Sequence, residues 1–298
     1  MLMNRRSFIK ISTIGSALTL LPNKSSGSAE RNQNLNLTSS IGVKKPFTFA
    51  VVADPHCAEQ AKENIQRYGN GVTKFLACVK EMEKLNDDEK PDFILIVGDI
   101  HLWALKQHLD KVSIPMHVIS GNHETAPRKK EMRDMFPADF IKNGREADYY
   151  SFVHKQVRFI GLCDARGEDH IGTFCSEDFG PRGQCEWLEE QLAQTEQHKI
   201  IFAHIPPEPQ GRDRNMYISR NDSRYLNQLV QNHQPTAMFF GHQHRETQHC
   251  RIDKTESFIV RSCCWNGDKT PLGFMLVKID NTGISTREIF TGHYQQSS

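Results

Sequence analysis

The sequence contains no pair of cysteines spaced C-x-x-C, no internal repeat and no marked excess of either charge. The first absence argues against a zinc finger or ribbon. Its eight cysteines, at 57, 78, 163, 175, 185, 250, 263 and 264, are too sparse in 298 residues to make a disulfide framework. With 37 Lys+Arg against 36 Asp+Glu, the chain lacks the positive charge that usually grips a nucleic-acid backbone. A permanent transmembrane helix needs about 20 apolar residues, and the stretch from Ile11 to Leu21, closed by Pro22, falls short. Composition is otherwise that of an ordinary soluble globular protein, 38% apolar and 24% charged.

The short apolar stretch has a different use. Asn4-Arg5-Arg6-Ser7-Phe8-Ile9-Lys10 precedes it, and Gly27-Ser28-Ala29 offers small residues for cleavage. This pattern resembles a bacterial twin-arginine export signal over residues 1–29. The expectation is a precursor handled by the twin-arginine export machinery and a mature protein in the periplasm or secreted; a retained anchor or a basic amphipathic N-terminus is the alternative. Cleavage would remove four basic residues and no acidic ones, leaving 33 against 36. Residues 30–45 are polar and Asn/Ser-rich, which reads as a flexible linker, and a single domain is expected over 46–298. In an oxidising compartment Cys175 and Cys185 are either a loop staple or two buried thiols.

From Pro46 onward short apolar runs alternate with helical patterns, the mark of an α/β architecture. Strands are expected over Phe47–Ala53, Phe93–Val97, Met116–Ile119, Val157–Leu162, Lys199–Ala203 and Thr236–Phe240. Val72, Phe75, Val79 and Met82 recur at three- and four-residue intervals, predicting an amphipathic helix over 71–85. Further helices are expected near 183–196 and 223–232. Phe258–Ser262, Phe274–Ile279 and Ile284–Phe290 read as a closing antiparallel set.

Five of these strands end on polar residues of one chemical kind. Asp54-Pro55-His56 follows FAVVA, Gly98-Asp99 follows FILIV, Gly121-Asn122-His123-Glu124 follows MHVIS, His204 follows KIIFA, and Gly241-His242-Gln243-His244 follows AMFF. In open α/β sheets, ligands bind at the carboxyl ends of strands, so these residues can meet in one crevice. Residues i and i+2 of an extended segment face one side, which would aim Asp54 with His56, and His242 with His244, together. Imidazoles, carboxylates and one amide, without thiolate, suit Mn, Fe, Zn or Ni. Asp54, His56, Asp99, Asn122, His204, His242 and His244 exceed one ion's needs, so two ions are implied, with Asp99 as the natural bridge. Any one of these motifs is weak alone; the ordered set is specific.

That set resembles the calcineurin-like metallophosphoesterases over residues 46–250, and Asp148-Tyr149-Tyr150-Ser151 and Gln184-Cys185-Glu186-Trp187-Leu188 are similar to the family's middle region. The resemblance implies two packed mixed sheets flanked by helices, a four-layer α/β/β/α sandwich. It implies Asp54, His56 and His244 around a first metal, Asn122, His204 and His242 around a second, Asp99 between them, and His123 beside substrate. The cofactor would be two divalent or trivalent transition metal ions, Fe, Mn or Zn. Leu102 stands where the purple, tyrosinate-ligated branch has tyrosine, so no charge-transfer colour is expected. The implied activity is hydrolysis of a small phosphate ester, mono- or diester, by in-line attack of a bridging hydroxide. Two divalent ions against two carboxylates and that hydroxide leave the site about +1, which favours phosphate. His123 is then a proton donor to the leaving group, a stabiliser of charge on phosphorus, or a histidine that orients a ligand. Glu124 and Cys57 read as structural, and His101 as a loop histidine.

Two aperiodic stretches, 164–183 and 205–222, should form the rim. They carry Arg166, Arg182, Arg212 and Arg214, either as candidate substrate-binding residues or as solvated loop arginines, and Phe174 or Tyr217 as stacking partners. A non-catalytic scaffold of the same fold is the rival reading, and a nuclease a third. A scaffold is expected to lose ligands, and none is missing.

Overall fold

A computed structural model of the chain describes residues 35–37, 45–57, 69–142, 145–165, 170, 172–175, 183–196, 198–280 and 283–292. The expected signal lies outside these residues. Within the stretch read as a linker, Leu35–Leu37 (β1) forms a short strand.

Two six-stranded mixed sheets make up the core. The first is ordered β1, β14 (Gly283–Gly292), β13 (Leu272–Asp280), β2 (Phe47–Val52), β3 (Ile94–Val97) and β4 (Met116–Ile119). β2, β3 and β4 run parallel, while β13 is antiparallel to both β2 and β14. The second is ordered β11 (Gln248–Ile252), β12 (Thr255–Ile259), β10 (Ala237–Phe240), β9 (His198–Phe202), β8 (Val157–Gly161) and β7 (Tyr150–His154). Its four central strands are parallel and its two edges antiparallel. A small hairpin, β5 (Ile141–Lys142) with β6 (Arg145–Glu146), stands apart. Strands buried on both faces need continuous apolar runs, and β2, β3 and β10 are buried at every position.

The space between the sheets is filled by aromatic rings. Phe49 of β2 is fully buried; it stacks on Phe93 at 5.4 Å and meets Phe159 and Phe239 of the second sheet edge-on at 5.3 and 5.9 Å. Edge-to-face pairs of this kind add to the burial energy. A parallel bridge from Ala53 to Ser262 ties the sheets together beside the strand ends that matter below.

Helices cover the outside. α1 (Gly71–Glu83) begins where the Asn70 side chain accepts the Thr73 N–H, satisfying one of the otherwise unpaired first-turn donors, and it buries Val72, Phe75, Val79 and Met82. α5 (Gln184–Leu192) starts on Gln184, whose amide is buried and grips the Cys163 N–H, the Cys163 carbonyl and the Phe174 carbonyl. α6 (Arg220–His233) is capped by Ser219, starting three residues before the expected boundary. The short α2 (Leu102–Leu105) and α4 (Pro137–Phe140) and the longer α3 (Ala126–Met135) complete the α-helices among the described residues. No helix among the described residues is long and apolar enough to cross a membrane.

One topological expectation is corrected. The strand expected over Phe258–Ser262 lies at Thr255–Ile259 and belongs to the second sheet, paired parallel to β10 with Phe239 opposite Phe258. The hairpin through β11 reverses the chain once more and so returns it in the direction of β10. The closing antiparallel pair is β13 with β14 alone.

Phe49→Ala should cost about 3–5 kcal/mol of stability, the usual loss for a buried aromatic truncated in a core. Urea unfolding followed by circular dichroism reads this as a lower midpoint at unchanged slope; a cost below about 1 kcal/mol would contradict the inter-sheet packing.

Candidate metal centre

β2, β3, β4, β9 and β10 deliver their polar ends to one side of the sandwich. Several of the residues just beyond them are non-glycine residues in the left-handed region: Asp54 (φ 49°), His56 (42°), Asp99 (50°), His101 (54°), His242 (72°) and His244 (47°). Such conformations each cost of order 1–3 kcal/mol and persist only where surrounding structure enforces them. The extended i, i+2 alternation expected at Asp54/His56 and His242/His244 is therefore absent. Tight left-handed turns bring these side chains in, and His242 and His244 serve opposite halves of the site.

The glycines make room for this. Gly98 is itself left-handed (φ 87°), and a Cβ there would lie 2.3 Å from His204 Nδ1. A Cβ on Gly121 would lie 2.2 Å from Asp99 Oδ1. Only glycine lets those two strand ends approach so closely.

Asp54, His56, Asp99 and His244 are all buried, and one ligand-type atom from each lies within 4.8 Å of all the others. His56 Nε2 is 3.2 Å from His244 Nε2 and 3.6 Å from Asp99 Oδ2, and His244 Nε2 is 3.4 Å from Asp54 Oδ1. The other three residues join through Asp99. His204 Nε2 lies 3.3 Å from Asp99 Oδ2, 3.0 Å from Asn122 Oδ1 and 3.2 Å from His242 Nδ1. All seven sequence-predicted residues thus form one connected cluster with Asp99 at its centre.

Backbone carbonyls set the tautomers. A carbonyl only accepts, so His204 Nδ1 donates to Val97 O (2.8 Å), His244 Nδ1 to Trp265 O (2.9 Å) and His242 Nε2 to His170 O (3.3 Å). In the neutral rings the opposite nitrogens then carry lone pairs, and these are the nitrogens that face one another and the oxygens of Asp54, Asp99 and Asn122. A buried group of acceptors without donors repels itself unless a cation sits among them. The donor set fits transition metal ions, and the carbonyl contacts are of the kind that orients metal-bound imidazoles.

Without metal, protons must supply the positive charge. Burial pushes His204 down, but Asp99, Asp54 and Asp164 outweigh it and raise it to about 10. Burial, with the Asp99 charge adding to it, raises Asp54 to about 8 against the opposing His204 charge and the His242 N–H. Burial would raise Asp99 as well, yet His204, His56 and His123 hold it well below the usual carboxylate range. Burial drives His56 well below its ordinary value, and lowers His242 to about 3 and His244 to about 4.

Glu124 braces the centre from behind, as its structural reading requires. Its Oε2 accepts from the Asp99 N–H (3.0 Å) and the Gly121 N–H (2.7 Å), and its Oε1 from the His101 N–H (3.0 Å). His123 stands at the mouth with its side chain 40% exposed; its N–H donates to Asp99 Oδ1 (3.0 Å) and its Nε2 lies 4.0 Å from Asp99 Oδ2.

The rim expectations fare differently. Arg166 and Arg182 lie outside the described residues. Arg212 pairs with buried Glu208 at 3.5 Å, and Arg214 packs over Tyr217, so both are engaged within their own loop. Phe174 and Tyr217 are buried and not presented for stacking as expected, because a base would have to displace core contacts to reach them. Two residues beside His244, Arg245 and Trp265, are not among those the sequence pattern points to; Arg245 directly follows the second histidine of GHQH, whereas nothing local singles out Trp265. Cys175 and Cys185 form a disulfide.

A two-sheet sandwich with histidines, aspartates and an asparagine gathered at its strand ends defines a metallophosphoesterase-like fold and centre. Residues 47–246 match the calcineurin-like phosphoesterase family, and the chain belongs to that family. It is 28% identical over 183 residues to a probable glycerophosphodiester phosphodiesterase, GpdQ, of Arcobacter nitrofigilis, a match covering 56% of this chain and 61% of that protein, so less than two thirds of the relative's length is spanned. A dimetal phosphatase from Danio rerio shares the fold at a TM-score of 0.55 and 17% identity, covering 84% of this chain and 99% of that one. GAP50, the anchor in the inner membrane complex of Plasmodium, does so at 0.53 and 14%, covering 86% and 88%. At such identities the likeness shows the fold alone.

Stability should report the proton-for-metal exchange. Asp54 holds its proton to about pH 8 when folded but releases it near 3.8 when unfolded, so its stabilisation is full below 3.8 and lost as pH rises to 8. His204, raised from 6.5 to about 10, acts in the same direction. The lowered histidines act in the opposite direction, but only while the unfolded imidazoles are still partly protonated, a contribution that fades above their ordinary value of 6.5, so the losses at Asp54 and His204 prevail up to pH 8. Chelator-treated protein should therefore melt at lower temperature at pH 8 than at pH 6.5, and Mn2+ or Zn2+ should remove that decline and release protons on binding. A melting temperature that rises with pH in the chelated protein would contradict the charge assignment.

Proposed function

We propose that this chain is a metal-dependent hydrolase of phosphate esters, acting on diesters ahead of monoesters. The observation that carries this reading is the cluster of seven buried acceptor side chains, Asp99 and the six around it, a complete set where a scaffold would be expected to have gaps. The relative described as a glycerophosphodiester phosphodiesterase supports the preference for diesters.

Asp54, His56 and His244 would hold one metal ion, Asn122, His204 and His242 a second, and Asp99 both. Ions bound there supply positive charge against the phosphoryl oxygens and a nucleophile at neutral pH. The protein keeps the donors fixed in advance: carbonyls orient three imidazoles, and Glu124 holds three N–H groups around Asp99. His123, exposed at the mouth and tethered through its N–H to Asp99, is placed to hand the Nε2 proton to the departing oxygen.

The reading extends to an exported protein. The twin-arginine pattern of residues 1–29 and the Cys175–Cys185 disulfide support it, since such bonds persist in oxidising compartments. Folding before export would let Fe or Mn be loaded inside the cell, away from competing zinc and copper. Finding only zinc in protein isolated from its native compartment would count against that order of events.

A panel of phosphate mono- and diesters assayed with Mn, Fe and Zn tests the activity. Asp99→Ala and His204→Ala should lower kcat/KM by more than about a hundredfold, since even partners one step removed from a metal cost 10–100-fold. His123→Ala should lower kcat by about 10²–10⁴-fold while metal content stays unchanged. Full activity in purified Asp99→Ala and His204→Ala proteins would overturn the assignment.

A further inference from the structure

Next to the metal centre lies a pocket of about 390 Å3, lined by Met216, Gln243, His244, Arg245, Trp265 and Asp268. It is built from three separate loops: the rim segment after β9, the loop after β10 and the loop after β12. His244 is a wall of the pocket and a member of the centre, so the two adjoin through that one residue.

Trp265 is the most firmly placed of these walls. Its ring stacks on the His244 imidazole at 4.0 Å and 21°, and its carbonyl accepts from His244 Nδ1. Its N–H donates to Ser262 Oγ at 3.2 Å, and Ser262 Oγ donates in turn to the Asp54 carbonyl at 2.9 Å. Gly267 N–H closes the loop on the His244 carbonyl at 2.7 Å. The indole is thus held in register with the metal-binding residues, and the ring is half-buried.

The remaining walls set the chemistry. Met216 adds a polarisable apolar surface; it sits in a left-handed turn (φ 66°) whose carbonyl accepts from Gln243 Nε2 at 3.3 Å. Asp268 is spoken for: its oxygens accept from the Glu246 N–H (2.7 Å) and from Thr270 N–H and Oγ1 (3.1 and 2.6 Å). Arg245 makes no ion pair among the described residues and is exposed. A flat aromatic wall and a thioether, with the Arg245 guanidinium and the Asp268 carboxylate at the edges, suit a ligand with a planar apolar body.

We propose that this pocket receives the organic half of the phosphate ester and that Trp265 makes it select a planar aromatic group, such as an aryl or nucleobase-bearing alcohol, over a small polyol. The inference rests on the phosphoester-hydrolase reading and adds the substrate class. Trp265 is here a specificity-determining residue, separate from the seven that would hold metal.

Two non-hydrolysable probes that share the phosphonate and differ only in the organic group test it. Metal-loaded protein is titrated calorimetrically with phenylphosphonate and with methylphosphonate. Phenylphosphonate should bind at least about tenfold more tightly, the scale of one aromatic contact. Trp265→Ala should bring the two affinities within about threefold of each other, and Trp265→Phe should keep most of the preference. Equal affinities in the wild-type protein, or a preference that survives in Trp265→Ala, would overturn the proposal. A fall in affinity for both probes alike in Trp265→Ala would also overturn it, showing that the ring only braces His244. The outcomes separate from those of the parent reading: equal phosphonate binding with active ester hydrolysis removes the pocket alone, whereas a phenyl preference without hydrolysis of any ester removes the enzyme and leaves the pocket.

Discussion

Mutual repulsion among buried acceptors is the constraint on which this structure turns. Two carboxylates, an amide oxygen and imidazole lone pairs are packed at 3.0–3.6 Å around Asp99. In a low-dielectric interior such an arrangement is strongly unfavourable unless positive charge enters it. Protons can supply that charge, as the raised Asp54 and His204 show, and metal ions can replace them. The binding free energy of the ions would then contribute directly to folding.

The rest of the molecule makes that cluster affordable. Parallel strands buried on both faces carry the residues to one edge, and the aromatic layer around Phe49 locks the two sheets at fixed separation. Left-handed turns at six non-glycine positions would be costly on a mobile loop; here each follows directly from a core strand or a bond network. Glu124 shows how this works, since one buried carboxylate gathers the N–H groups of Asp99, His101 and Gly121 and so fixes two strand ends relative to each other.

Much of this was legible in the sequence. The strands around the centre carry uninterrupted apolar runs, and their polar ends are of one chemical type, so the α/β alternation and the cluster are legible from the residues, whereas the two-sheet sandwich follows only from the family resemblance those residues carry. What escaped had no periodic signal. α3 is largely charged, with Lys129 and Met132 its only buried residues, so no apolar stripe announces it. β11 is an exposed edge strand of mostly polar residues. The parallel placement of β12 depends on long-range pairing with β10, which local pattern does not encode. The rim suffered most: Tyr217 and Phe174 looked available because loops are usually exposed, yet both pack into the core, while Trp265 reaches the site from a distant loop.

The central claim is tested most directly by crystals of protein purified without chelator, with anomalous diffraction recorded at the Mn, Fe and Zn edges. The account predicts two peaks a few ångströms apart, one beside Asp54, His56 and His244, the other beside Asn122, His204 and His242, with Asp99 reaching both. No peak, or a single ion touching only one of the two groups even after reconstitution, would contradict it.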